Sequence, residues 1–285
     1  MQVLKLAVQK SGRLSERSFQ LLKECGIKIP NEDRKLYSSA SNFPLEILYL
    51  RDDDIPQYVE QGVADIGIVG WNEVVEQDKN VEVVEYLGFA QCRLCLAIPK
   101  DADYTGLAYF EHKRIATSYP NTLKNFFDSQ GIPVEIEKIG GSVEIAPRMG
   151  LADAIFDIVS TGSTLLMNGL KEVYTVLKSE AVLVKNTYLA TDKQNILDKF
   201  VFRIKAVKNA SENKYILLNA PNEALPNIIK ILPGIKSPTI LPLAETGWSS
   251  LHSVVKEDQF WDIIDQLKAL GAQGILVCSI EKMVI

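Results

Sequence analysis

The sequence predicts an α/β protein of two similar lobes followed by a ferredoxin-like βαββαβ module. Up to about residue 190, short apolar strands alternate with helix-period segments. One phrase, Gly-x-Ala-Asp followed by an apolar strand and a glycine loop, occurs as GVADIGIVG at 62–70 and as GLADAIFDIVSTG at 150–162. After about residue 190 the texture changes to a helix followed by strand, helix, two strands, helix, strand.

Residues 3–8 (VLKLAV) read as the first strand, and Leu14, Phe19, Leu22 and Cys25 then recur roughly at helical spacing up to Gly26. Further strands are expected at 46–50, 66–69, 94–98, 114–117, 134–138, 154–160 and 181–185, and helices at 52–61, 121–130, 143–149 and 163–170. The repeated phrase fits either a duplicated lobe or the resemblance that any two helix-turn-strand joints share. In a two-lobed α/β fold, ligands gather where strand C-termini face the cleft. A helix over 190–208 leads out of the lobes. After it come KYILLNA, NEALPNIIKIL, SPTILPL, LHSVVK, EDQFWDIIDQLKAL and AQGILVCSI, in the order βαββαβ.

The 285 residues are 47% hydrophobic and 24% charged, a globular composition long enough for two or three modules. A net charge of −5 gives no footprint for nucleic acid. No apolar run is long enough for a secretory leader or a spanning helix, so a cytoplasmic protein with no membrane partner is expected. Four cysteines make no disulfide framework, and Cys92 and Cys95 lie in a strand, where residues three apart face opposite ways. The two histidines, His112 and His252, fall in separate modules, which excludes a Ser-His-Asp triad and an H-E-x-x-H zinc site. A reaction driven by positioning charged substrates suits this inventory.

The segment from Asp157 to Leu170, DIVSTGSTLLMNGL, runs from an apolar strand through a Ser/Thr/Gly loop into a helix beginning near Thr164. Backbone N–H groups and hydroxyls there suit an anion, and Ser or Thr equally suit an ordinary N-cap. In IGGSVEIAP, Ser142 is expected to cap a helix whose first turn holds Glu144, and that carboxylate either favours the helix dipole or meets ribose hydroxyls or Mg²⁺. QKSGRL places Lys10 and Arg13 around a glycine turn, either solvated or facing phosphates. Asp54 reads as the cap of a helix starting Ile55-Pro56, while Arg51 ends the preceding strand on the cleft side.

The run from Glu144 through Pro147, Gly150, Ala152, Asp153, Asp157, Thr161, Gly162 and Thr164 to Leu165 resembles the long signature of the ATP phosphoribosyltransferases. QKSGRL, RDDDIP, GVADIGIVG, the CRL segment at 92–94, RIATSYP at 114–120 and ILPLAETGW…GILV extend the resemblance over nearly the whole chain. It implies the long form of that family: two periplasmic-binding-protein-like lobes, 1–91 with about 183–205 and 92–182, and an ACT-like regulatory domain at 210–285. The implied activity is transfer of phosphoribosyl from phosphoribosyl pyrophosphate to N1 of ATP, the first step of histidine biosynthesis. On this resemblance Ser160, Thr161, Gly162, Ser163 and Thr164 hold the 5-phosphate, Asp157 the ribose hydroxyls, and Glu144 with Asp157 the Mg²⁺. ATP lies near Lys10, Ser11, Gly12, Arg13, Arg51, Asp65 and Gly70, with Arg93 available for phosphates, and AMP is a further nucleotide ligand. Inhibitory histidine is expected at Asn219, Thr239, Val254 and Gly274, Asn219 replacing the acidic residue of some relatives, in a homo-oligomer between dimer and hexamer. The contrasting reading is a non-catalytic cytoplasmic small-molecule-binding protein, which a two-lobed cleft also describes.

Overall fold

The computed structural model describes residues 2–30 and 36–285. Two compact units divide the chain, 1–197 and 198–285, and the division falls inside the long helix that follows the lobes.

The first lobe begins with β1 (Leu4–Gln9), α1 (Arg13–Glu24), β2 (Tyr37–Ser39), β3 (Leu45–Leu50) and α2 (Ile55–Glu60). It continues through β4 (Ile66–Gly70), α3 (Trp71–Gln77) and β5 (Val81–Tyr86). The chain then crosses to a second sheet through β6 (Cys92–Pro99), β7 (Arg114–Thr117), α4 (Pro120–Gln130), β8 (Glu135–Lys138), β9 (Ala154–Val159), α5 (Ser163–Met167) and β10 (Leu170–Ser179). It returns with β11 (Ala181–Asn186) to the first sheet and leaves along α6 (Thr191–Glu212). The sheets run β2-β3-β1-β4-β11-β5 and β10-β6-β9-β7-β8. Each has a parallel centre, β3-β1-β4 and β8-β7-β9, flanked by an antiparallel strand that comes from the crossover, β11 or β6.

The repeated Gly-x-Ala-Asp phrase occupies equivalent places in the two sheets. Asp65 accepts the Lys5 backbone N–H at 2.8 Å and donates its own N–H to the Lys5 carbonyl at 2.9 Å. Asp153 makes the same pair with Arg114, at 2.9 and 2.8 Å. In both lobes the aspartate thus clips the start of one parallel strand onto its neighbour, satisfying backbone groups that the slanted ladder leaves open.

Strand parity explains the CRLCLAI segment. Leu94, Leu96 and Ile98 pack with Phe110, Leu123, Phe127 and Phe156 on one face of the second sheet, while Cys95 and Ala97 pack with Val143, Ala146 and Leu165 on the other. Cys92 shares the parity of Leu94, so the two thiols diverge as expected, and both are free.

Several local expectations change. The helix expected over 143–149 shrinks to a single 3₁₀ turn, Val143–Ile145: Ser142 sits before it at φ +52° and makes no side-chain capping bond. Asp54 stands at the start of α2, also without a capping bond. The helix expected over 163–170 stops at Met167, because Gly169 at φ +72° turns the chain into β10. Neither β10 nor α3 nor β5 was expected.

The second unit follows α6 with β12 (Asn213–Pro221), α7 (Leu225–Ile231), β13 (Thr239–Pro242), β14 (Trp248–Lys256), α8 (Phe260–Ala269) and β15 (Gln273–Ser279), the βαββαβ order. Its antiparallel sheet runs β13-β14-β12-β15, the ferredoxin-like arrangement. Ile216, Leu218, Ala220, Leu251 and Val255 point to the helix side and pack with Ile228 and Leu267. Among the described residues no helix is long and apolar enough to cross a membrane.

Candidate active site

The Ser/Thr/Gly loop leaves the C-terminal end of β9 and turns at Gly162, whose φ of +81° is one that L side chains rarely adopt. Ser160, Thr161, Ser163 and Thr164 are exposed, and the Thr161 and Ser163 hydroxyls share a hydrogen bond of 3.0 Å. Because α5 has five residues, its dipole is small, and hydroxyls with loop N–H groups supply most of the donors.

Arg93, expected to be free for phosphates, is already paired. It grips Glu172 of β10 in a fork, Nε to Oε1 at 2.9 Å and Nη2 to Oε2 at 2.7 Å, and its Nη1 donates to the Ser160 carbonyl at 3.0 Å. The hydrogen bond from Arg93 holds the Glu172 carboxyl down at about 2. Arg93 therefore braces the back of the loop. Sequence reading could not anticipate Glu172, because β10 was not expected.

Two carboxylates stand beside the loop. Burial pushes Asp157 up to about 6, against a 2.8 Å bond from the Ile158 N–H, and the negative charge of Glu144 raises it further. Across the cleft, Glu73 of α3 is pushed up to about 7 by burial, then by the charges of Asp52, Asp53 and Glu76, with the Tyr119 phenol opposing. Burial, and then Glu73 and Asp157, raise that phenol in turn. Tyr119 thus feels acids of both lobes; it belongs to the RIATSYP segment, whereas no motif in the sequence points to Glu73 or Asn72. Because the Glu73 pKa is raised in the folded state, its contribution to stability is complete below about 4.5 and lost as the pH climbs through about 7. Glu73→Gln should therefore raise the thermal unfolding midpoint at pH 8 and leave it nearly unchanged at pH 4.5; an equal shift at both values would contradict the burial argument.

On the first lobe, Lys10, Ser11, Gly12 and Arg13 form an exposed turn after β1. The Lys10 N–H donates to the Leu50 carbonyl at 2.8 Å, which brings the turn beside Arg51 at the end of β3. Gly70 ends β4, and a Cβ there would lie 2.4 Å from Asn72 Oδ1, so the glycine makes room for Asn72. These residues share the end of the sheet that faces the cleft. Asp65 does not join them: it precedes β4 at the opposite end, is buried, and is fully used by Lys5 and by Lys193 Nζ at 2.7 and 2.8 Å. Its expected nucleotide contact gives way to this fold-stabilising one. A pocket of about 530 Å³ lies between the lobes, lined by Trp71, Tyr86, Cys92, Arg93, Ser160 and Lys178 among others.

In the second unit, Asn219 pairs with Ser250, Thr239 with His252 and Val254 with Tyr215, so all three lie on the sheet face away from the helices. Gly274 lies beside Asn219, its Cβ position 3.5 Å from Asn219 Nδ2. The same face carries a chain from Tyr215 Oη to His252 Nδ1 at 2.6 Å and from His252 Nε2 to Ser250 Oγ at 3.2 Å.

Residues 51–206 match the model of the ATP phosphoribosyltransferase family, and residues 210–282 match that of the HisG C-terminal domain. The chain belongs to the ATP phosphoribosyltransferase family. It is 58% identical over 283 residues to an ATP phosphoribosyltransferase of Phocaeicola vulgatus, covering 99% of this chain and all of that one. Among solved structures it resembles the ATP phosphoribosyl transferase (HisG:HisZ) complex from Thermotoga maritima, at 31% identity and a TM-score of 0.62, over 71% of this chain and 99% of that one. A histidine kinase sensor domain with similarity to periplasmic binding proteins matches at a TM-score of 0.50 with 7% identity, over 73% of this chain and 91% of that one, and shows the lobe fold alone. The protein is a pentosyltransferase that joins ATP and phosphoribosyl pyrophosphate in the first step of histidine biosynthesis. The non-catalytic reading is thereby set aside.

Proposed function

We propose that phosphoribosyl pyrophosphate binds on the second lobe, its 5-phosphate on Ser160, Thr161, Gly162, Ser163 and Thr164 and its ribose hydroxyls on Asp157, with Glu144 adjacent. The observation that carries this is a hydroxyl-rich loop, turned by a left-handed glycine and braced from behind by Arg93, opening beside a half-buried carboxylate. ATP then lies against the first lobe, over Lys10, Ser11, Gly12, Arg13, Arg51 and Gly70, with AMP as a further nucleotide ligand.

In this arrangement N1 of adenine attacks C1 of the ribose as the bond to pyrophosphate breaks, through an oxocarbenium-like state. The chain's own residues position the two reactants and match their charge: the loop donors hold the 5-phosphate, Asp157 fixes the ribose, and the Lys10–Arg13 turn with Arg51 neutralises nucleotide phosphates. Glu144 and Asp157 are oxygen donors of the kind Mg²⁺ accepts together with substrate phosphates, and their mutual repulsion favours a cation between them. Mg²⁺ there would neutralise charge on the leaving group.

The C-terminal unit we read as a histidine-binding regulatory domain, with Asn219, Thr239, Val254 and Gly274 on or beside the sheet face that the helices leave open. Inhibition from there requires two global states with unequal affinity for histidine, most simply in a homo-oligomer between dimer and hexamer. Cytoplasmic location accords with the biosynthetic role. The test is pyrophosphate release by the full chain with ATP, phosphoribosyl pyrophosphate and Mg²⁺, with and without L-histidine. Turnover needing both substrates and suppressed by histidine is expected; turnover indifferent to histidine would remove the regulatory reading.

A further inference from the structure

The side chain of Glu76 is buried in the first lobe, yet its partners belong to the second. Glu76 Oε1 accepts the Asn121 N–H at 3.0 Å, and Oε2 accepts the Thr122 N–H at 2.9 Å and the Thr122 hydroxyl at 2.7 Å. The Asn121 amide in turn donates to the Glu76 carbonyl at 3.0 Å. Helix α4 has no side-chain cap of its own, so these first-turn N–H groups, which every helix leaves open, are closed by a carboxylate from the facing lobe. The start of α3 is tied down as well: the Trp71 N–H donates to the Glu180 carbonyl at 2.9 Å, and the Asn72 N–H to Ser179 Oγ at 3.0 Å. Helix α3 is therefore fastened to the crossover at one end and to α4 at the other.

What lies next to this fastening gives it a consequence for the reaction. Tyr119, immediately before α4, accepts a hydrogen bond from Asn72 Nδ2 at 3.4 Å, which joins this helix start to the first lobe beside Glu73. A local cap could have come from a Ser, Thr or Asp at position 119; the chain instead has a tyrosine there and takes the cap from across the lobe boundary.

We propose that Glu76 is a positioning residue for phosphoribosyl transfer: by capping α4 from the opposite lobe it sets the distance between the lobe that holds ATP and the lobe that holds phosphoribosyl pyrophosphate. This rests on the placement of the two substrates on opposite lobes. Each substrate contacts one lobe chiefly, so loosening the tie spares separate binding and misaligns attack, and a displacement of about 1 Å costs on the order of 100-fold in rate.

The experiment compares wild type, Glu76→Ala and Glu76→Gln, measuring kcat and KM for each substrate, equilibrium binding of each substrate alone, and circular dichroism. For Glu76→Ala we expect kcat to fall about 100-fold with each separate Kd within about threefold of wild type, and for Glu76→Gln, which retains one acceptor oxygen, a partial recovery. A folded Glu76→Ala protein with kcat within about threefold of wild type would overturn the proposal, as would a loss of kcat matched by an equal loss of affinity for either substrate alone. Should the alanine variant fail to fold, the same two criteria applied to Glu76→Gln decide. Failure of the substrate placement itself would appear separately, as unchanged phosphoribosyl pyrophosphate affinity in variants of the Ser160–Thr164 loop.

Discussion

Replacing Thr161 and Gly162 together by alanine is expected to weaken phosphoribosyl pyrophosphate binding by about 100- to 1,000-fold while ATP binding and the overall fold are retained. Two effects combine. Thr161 loses a hydroxyl donor to the phosphate, and a hydrogen bond to a charged group contributes about 1.5–3 kcal/mol. Alanine at 162 must either hold the left-handed conformation at a cost of about 1–2 kcal/mol or move the loop N–H groups away from the anion. At about 1.4 kcal/mol per tenfold, the sum reaches two to three decades. The loop is exposed, and the Gly162 Cβ position has nothing nearer than Val159 Cγ1 at 3.9 Å, so the core beneath it is not disturbed. Titration calorimetry with phosphoribosyl pyrophosphate and Mg²⁺ measures the change; wild-type affinity in the double variant would take the 5-phosphate off this loop.

Asp157→Asn carries the second large effect: kcat/KM for phosphoribosyl pyrophosphate should fall by about 100-fold or more, since the amide donates where the ribose needs two accepted hydroxyl bonds and one buried donor is left unpaired. The pH dependence separates this from a packing defect. Burial holds the Asp157 pKa at about 6, so in the wild type, binding should weaken as the pH falls through that value, and the asparagine variant should lose that dependence. Stability should move the other way. A raised folded-state pKa means that ionised Asp157 costs folding free energy above about pH 6, so Asp157→Asn should be at least as stable as wild type at pH 8. A variant both less stable and less active at pH 8 would assign the residue to the fold rather than to the ribose.

The features legible in the chain were those written within a few neighbouring residues. Strand and helix periods, the glycine turns of QKSGRL and VSTGST, and the βαββαβ order each depend on local sequence, and most appear near their expected bounds. The duplicated phrase was legible as a pattern, but its role was not: that Asp65 and Asp153 each clip a neighbouring strand depends on which backbone they face. The nucleotide contact expected of Asp65 rested on the family resemblance, whereas its place just before the strand at 66–70 puts it at the end away from the cleft, where Lys5 and Lys193 take its carboxylate. Helix α3 leaves little local signal because it is short and follows its strand with no side-chain cap, although buried Asn72 and Glu76 stand one turn apart on it, a polar pair that hints at an outside partner.

By itself, then, the sequence determined the α/β class, the loop after β9, the acidic and basic turns at the strand ends, and membership of a transferase family. Only the tertiary structure decided how the charges are spent: Arg93 on Glu172, 79 residues away, Lys193 on Asp65, and Glu76 on the first turn of α4. The physical reason is that an ionisable side chain takes its state from the partners and burial it meets in space, and over such separations neither leaves a periodic trace in the chain.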